Sequence, residues 1–171
     1  MKKVIVLFAF LSSIFYAQAQ FSTGINGEVL FPLSNMSNRA DFGFGPSVSA
    51  GYTFKKKIRI SLGYEYLMFK TLIPDYTQKS GYLSLSYNFF EKGLIPYAGL
   101  KAGLFQSSQM AYNIELSDNY FGLTPNIGIL FESGIISNLK IDANFSFTNA
   151  FNESEFKYLK FGIGVYYFFK K

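Results

Sequence analysis

The chain has 171 residues, sixteen Lys and Arg against eleven Asp and Glu for a formal charge of +5, and neither His nor Cys. That length makes one domain by the usual prior, and the absence of His and Cys excludes Ser-His-Asp triads, thiol nucleophiles, disulfides and the common zinc sites. The basic residues are scattered over turns and alternate positions, so no phosphate-tracking stripe exists and nucleic acid is excluded as a partner.

Met1, Lys2 and Lys3, the apolar run VIVLFAFLSSIFYA and then Ala17-Gln18-Ala19 form a secretory signal pattern, with cleavage expected after Ala19. The run is too short for a transmembrane helix, which takes about 20 apolar residues. Taking the first nineteen residues from 171 leaves 152, beginning at Gln20, and losing Lys2 and Lys3 lowers the formal charge from +5 to +3. No Cys follows the small-residue site, so a lipoprotein anchor is not expected. No later apolar run is long enough to span as a helix, and any crossing of a membrane is left to strands.

From Phe21 to Phe31 the chain alternates strictly, with Phe21, Thr23, Ile25, Gly27, Val29 and Phe31 on one face and Ser22, Gly24, Asn26, Glu28 and Leu30 on the other. A polar loop from Pro32 to Asp41 follows. The second strand, FGFGPSVSAGYTF, puts Phe42, Phe44, Pro46, Val48, Ala50, Tyr52 and Phe54 on one face and only Gly, Ser and Thr on the other. A soluble sandwich would turn Lys and Glu to water at those positions; small uncharged residues instead fit the crowded inside of a narrow barrel.

Lys55, Lys56 and Lys57 make a tight turn into a third strand, Ile58 to Phe69, with Arg59, Ser61, Gly63 and Glu65 opposite the apolar row. The Pro74-Asp75 signal leads to a fourth, in which Gly81 to Phe89 alternate with an inward face of Tyr82, Ser84, Ser86, Asn88 and Phe90. Glu91, Lys92 and Gly93 turn into a fifth strand, IPYAGLKAGLF, whose inward face holds Tyr97, Gly99, Lys101, Gly103 and Phe105. The polar stretch Gln106–Asn119 reads as the longest loop. Its Met110, Tyr112, Ile114, Leu116 and Tyr120 fit either an adhesive patch or a hairpin extension of the flanking strands, the plainer reading. Strand six, Phe121 to Phe131, carries Pro125 in its middle, where a bulge or bend is expected. A turn around Gly134 and Asn138 leads to strand seven, with Lys140, Asp142, Asn144, Ser146 and Thr148 inward. After NAFNESEF, strand eight turns Tyr158, Lys160, Gly162, Gly164, Tyr166 and Phe168 inward.

Eight strands of about eleven residues, joined by alternately long and short connections, match roughly 9–11 tilted residues per transmembrane strand. No connection can supply a crossover helix, so the expected fold is an all-β, eight-stranded antiparallel up-and-down transmembrane β-barrel. An even count puts both termini on one side, the periplasm for an exported chain, with the turns near Lys56, Lys92 and Gly134. The outward aromatics then fall into two belts, Phe31, Phe42, Tyr66, Phe121 and Phe147 above, and Tyr52, Phe54, Tyr87, Phe89, Phe131, Tyr167 and Phe169 below.

This pattern resembles the small outer-membrane β-barrel family, porin-like and of the OmpX or OmpA membrane-domain type, over the whole mature chain. The last strand, Gly164-Val165-Tyr166-Tyr167-Phe168-Phe169, looks like the aromatic C-terminal signal read by the barrel assembly machinery, although Lys170 and Lys171 follow it here. The resemblance implies a signal peptide over 1–19, a barrel domain over 20–171, residence in the outer membrane of the cell envelope, and outer-membrane lipids and the assembly machinery as partners. No cofactor is expected. Barrel enzymes that resemble palmitoyltransferases, lipid A deacylases or proteases rely on a His, and this chain has none.

Seven charges point inward: Glu28, Arg59, Glu65, Lys101, Lys140, Asp142 and Lys160. In so narrow a barrel they read as a solid, paired polar network, with an ion path as the rival. Glu153 and Glu155 are a conceivable acid/base pair but read as solvated loop charge. The glycine pairs at 43 and 45 and at 162 and 164 lie within strands and are no phosphate cradle, and the triplets at Asn35 and Asn152 are assigned no role. The expected function is structural, surface-display or adhesion-like without catalysis, reaching surface partners through the outer loops. The alternatives are a narrow pore or conduit for small or hydrophobic compounds and a soluble exported barrel holding an apolar ligand.

Overall fold

The protein is described by a computed structural model covering residues 19–169 except 39, 72–75, 112–113, 135, 137 and 152–155, with the side chains of 35, 71, 110–111 and 114–116 also outside the described set. Residues 1–18 of the expected signal peptide, the Pro74-Asp75 turn, Tyr112, the Glu153 and Glu155 pair, and the terminal Lys170 and Lys171 lie outside the described residues.

Eight strands follow one another: β1 Ala19–Leu33, β2 Ala40–Phe54, β3 Ile58–Thr71, β4 Tyr76–Asn88, β5 Leu94–Ala111, β6 Ile114–Glu132, β7 Leu139–Phe151 and β8 Lys157–Phe168, with one short 3₁₀ turn at Ser34–Met36. They close into a barrel in sequence order. Every pairing is antiparallel, and β8 returns to β1. Closure removes the free edges whose backbone N–H and C=O groups would otherwise be unpaired.

Register turns each alternating row into a band around the wall. Ile25 sits opposite Val48 on one side and Val165 on the other, while Asn26 beside it sits opposite Ser47 and Gly164. Val48 is 48% exposed and Ile163 57%, whereas Ser47 is 1% exposed. The apolar rows therefore face outward and the polar rows line the axis, and a slip of one residue would reverse both.

The stretch Gln106–Asn119, apart from residues 112 and 113, is not a loop but the hairpin extension of the flanking strands, the plainer of the two readings of its apolar residues. β5 runs 18 residues and β6 runs 19, paired from Leu94 opposite Phe131 up to Ala111 opposite Ile114. The described strands span 12 to 19 residues rather than about eleven, because polar pairs such as Ser107 with Asp118 still satisfy each other's backbone above the apolar band. For the same reason the expected long connections shrink, with β1 reaching Leu33, β3 reaching Thr71 and β7 reaching Phe151. Phe90, expected inward, lies past the end of β4 and is exposed. Pro125 makes no bulge. Leu123 stays opposite Asn149 and Asn126 opposite Ser146 in one register, and pairing with β7 lapses only at Thr124 and Pro125, where proline has no N–H to give. The register shift falls between Ala40 and Phe42 instead.

The inside is filled by side chains along most of the axis. At the end away from the termini, Leu30, Leu67, Phe69, Phe105, Tyr120 and Tyr158 form an apolar plug with Tyr76 and Phe156. Rings stack across it, Phe105 on Tyr120 at 5.6 Å, Tyr120 on Phe156 at 5.6 Å and Phe156 on Tyr76 at 5.5 Å. A second cluster, Ile95, Tyr97, Leu130, Tyr166 and Phe168, lies towards the terminal end. Between the two sits the polar centre.

Candidate functional site

Four strands each deliver one charge to the middle of the barrel because each charge occupies an inward position of its alternation. They are Glu28 on β1, Glu65 on β3, Lys101 on β5 and Lys160 on β8. Lys160 Nζ donates to Glu65 Oε1 at 2.9 Å and Oε2 at 2.8 Å, and Lys101 Nζ donates to Glu65 Oε1 at 2.9 Å. Lys160 also stands 3.2 Å from Glu28 Oε2 as an ion contact, with Lys101 3.9 Å from Glu28 Oε1. The hydroxyls of Ser47 and Ser80 donate to Glu28 Oε1 at 2.8 Å and to Glu65 Oε2 at 3.3 Å. Lys101 further rests over the ring of Tyr82 at 4.6 Å.

The quartet is two carboxylates and two ammoniums, almost wholly buried. An isolated buried charge would cost several kcal/mol to desolvate, and geometry this close with extra hydroxyl donors offsets much of that cost. Each carboxylate of the pair is engaged by at least one ammonium and one serine. Such a cluster holds strands together across the axis.

Arg59 and Asp142 form a second group through aromatic side chains. Arg59 Nε donates to Ser86 Oγ at 3.3 Å, and its guanidinium lies over the rings of Tyr166 at 4.7 Å and Tyr97 at 5.1 Å. Tyr97 OH donates to Asp142 Oδ1 at 2.9 Å, and Asn144 Nδ2 donates to Asp142 Oδ2 at 2.8 Å. Lys140 joins neither group. It is half-buried at the terminal mouth, with its ammonium 5.2 Å from the ring of Phe168.

Sequence reasoning placed the seven charges but not their tyrosine partners. Tyr82, Tyr97 and Tyr166 were legible as inward residues, and the signal for their role was the charge one to three strands away on the same face. Gln78 was missed as well; its Nε2 donates to Tyr158 OH at 2.7 Å beneath the plug. Of the expected belt residues, Phe31, Phe42, Tyr52, Tyr87, Phe89, Phe121, Tyr167 and Phe169 are exposed, and Phe54, Tyr66, Phe131 and Phe147 are half-buried. Phe21 joins the lower set, 5.2 Å from Tyr52 and 5.3 Å from Phe169, and Phe151 joins the upper set, 6.2 Å from Phe121. Among the described residues no group of three or more His, Cys, Asp or Glu is placed to hold a metal ion.

No protein-family model matches the sequence, and no curated protein sequence matches it either. Solved structures do. Neisserial surface protein A aligns over 88% of this chain and 99% of its own at 20% identity, with a TM-score of 0.72. The N-terminal β-barrel domain of Pseudomonas aeruginosa OprF aligns over 89% of this chain and 100% of its own at 16% identity and TM-score 0.62. Ail, the attachment invasion locus protein of Yersinia pestis, aligns over 89% of this chain and 98% of its own at 14% identity and TM-score 0.58, and has also been solved with the heparin analogue sucrose octasulfate. The eight-stranded fold of these barrels is the fold of this chain.

Proposed function

We propose that this chain is exported with residues 1–19 removed, is inserted in the outer membrane, and serves as a non-catalytic anchor that displays the end of the barrel opposite its termini. The carrying observation is the inversion of the wall. Large apolar side chains, Leu62 at 68% exposed and Leu104 at 71% among them, look outward around buried charges. Such a surface is poorly hydrated in water and is at home against acyl chains. The rival of a soluble barrel with an apolar ligand needs those rows inside, and they are not there.

Outer-membrane lipids are then the partner of the wall, with the two aromatic sets at the headgroup levels. The Gly164–Phe169 strand is the segment offered to the barrel assembly machinery. Display falls to the β5–β6 hairpin, which rises above the apolar band, and the word attachment in Ail's name offers an analogy for an adhesion-like role. A conduit is disfavoured because the stacked rings of Tyr76, Phe105, Tyr120 and Phe156 and the charge quartet fill the axis.

Extraction and conductance test the reading. The protein should stay in the membrane pellet through carbonate and urea washes, begin at Gln20 by intact mass, and give closed traces in planar bilayers. Release by either wash would overturn the membrane assignment, and steady unitary currents would replace the anchor with a pore.

A further inference from the structure

The mouth at the terminal end of the barrel carries a cavity of about 180 Å³. Three ammoniums surround it, Lys56 from the β2–β3 turn, Lys92 from the β4–β5 connection and Lys140 from β7. Two carboxylates share the rim. Glu132 stands opposite Lys140 in the register and Glu91 adjoins Lys92, which leaves one positive charge in excess before Lys55 and Lys57 of the same turn are counted.

Two buried polar groups in the lining have no partner among the described residues, Thr53 Oγ1 and Asn88 Oδ1. Their side chains are deeply enclosed, with Thr53 4% exposed and Asn88 5%. Asn88 Nδ2 is committed to Lys56 O at 3.1 Å, which fixes the amide and leaves its oxygen as an acceptor at the cavity. The Thr53 hydroxyl can donate or accept and Asn88 Oδ1 accepts, so a ligand that carries both a carboxylate and an N–H finds a complement for each at this mouth.

The turn itself is strained towards the same end. Lys55 and Lys56 both lie in the left-handed region, with φ of 46° and 58°. Asn-Gly would occupy these two positions without strain. Lysines held there are a backbone outlier at a place where their charge is what distinguishes them.

We propose that this mouth binds an α-carboxylate flanked by an amide N–H, as in an N-acylated amino acid or the carboxyl end of a peptide. The carboxylate meets Lys56 and Lys92 and accepts from the Thr53 hydroxyl. The adjacent N–H satisfies Asn88 Oδ1, and a small apolar side chain rests on Ile95 and Phe168 at the floor. Tyr97, Tyr166 and Arg59 fill the barrel behind that floor, so the ligand enters and leaves by one opening.

The test uses the folded, isotope-labelled protein in zwitterionic bicelles, titrated with N-acetylalanine, with its neutral amide and with an acetylated alanine tripeptide. N-acetylalanine should give saturable shifts at Thr53 and at the Asn88 side-chain amide, and the neutral amide should bind at least tenfold more weakly. Equal binding of the tripeptide assigns the source as a chain end, and binding of the short acid alone assigns it as a free metabolite. The Lys56→Gln, Lys92→Gln double variant should lose at least tenfold in affinity, and so, independently, should Thr53→Val, each with an undisturbed spectrum elsewhere. Unsaturable shifts, equal binding of the neutral amide, or wild-type affinity in both variants would overturn the site.

Discussion

The ring of Tyr82 occupies the place where a Cβ on Gly63, its direct cross-strand partner, would stand. Tyr97 has the same relation to Gly128, its partner, and Tyr166 to Gly24. These three inward glycines thus do more than keep the lumen narrow, because each makes room for an aromatic ring that reaches a charge, Lys101 for Tyr82 and Arg59 for the other two. Gly63→Ala should destabilise the barrel by about 1–3 kcal/mol, the usual cost of overpacking. Urea unfolding in lipid vesicles measures it, and Tyr82→Leu in the same chain should recover part of the loss, while a purely additive pair would argue against the contact.

Glu65 is the hinge of the quartet, since it takes hydrogen bonds from both Lys101 and Lys160. Removing one member of a buried pair strands the others. Glu65→Gln is therefore expected to cost about 3–5 kcal/mol. Lys140→Gln, half-buried and outside both charge groups, should change stability by about 0.5 kcal/mol or less. Equal effects from the two would mean the quartet is not the barrel's central tie.

Depth should govern the outward face. Leu62 lies near the middle of the β3 row and Ile58 at its terminal end. Leu62→Lys should cost about 2–4 kcal/mol in a bilayer and Ile58→Lys about 0–1 kcal/mol. Unfolding from vesicles resolves the difference, and the same cost at both positions would contradict a bilayer around this wall.

The strained turn offers a change in the opposite direction. Replacing Lys55-Lys56 by Asn-Gly should stabilise the protein by about 1 kcal/mol, since both residues sit at φ values that L side chains disfavour. The same double substitution should weaken N-acetylalanine binding at the mouth. A more stable variant with unchanged affinity would show that Lys56 is there by accident.

Alternation made most of this barrel legible before any coordinates. The FGFGPSVSAGYTF segment assigns each side chain to a face by parity alone, and all seven inward charges could be named. Strand ends were harder. The β5–β6 extension mixes Met110, Ile114 and Leu116 with polar residues, so hydropathy allowed a hairpin extension without marking its end, and the backbone pairing of Ser107 with Asp118 carries the strand past Gln106. Pro125 misled for a related reason, since a missing N–H predicts a disturbance but not whether the neighbouring strands will absorb it without a shift.

Period-two patterning by itself settled which residues look outward and which at the axis, because parity is a local property of an extended chain. Which inward groups meet was decided only by closure of the sheet. Glu28, Glu65, Lys101 and Lys160 sit on four different strands, and their distances depend on the stagger of every ladder between them, a quantity that no single strand encodes.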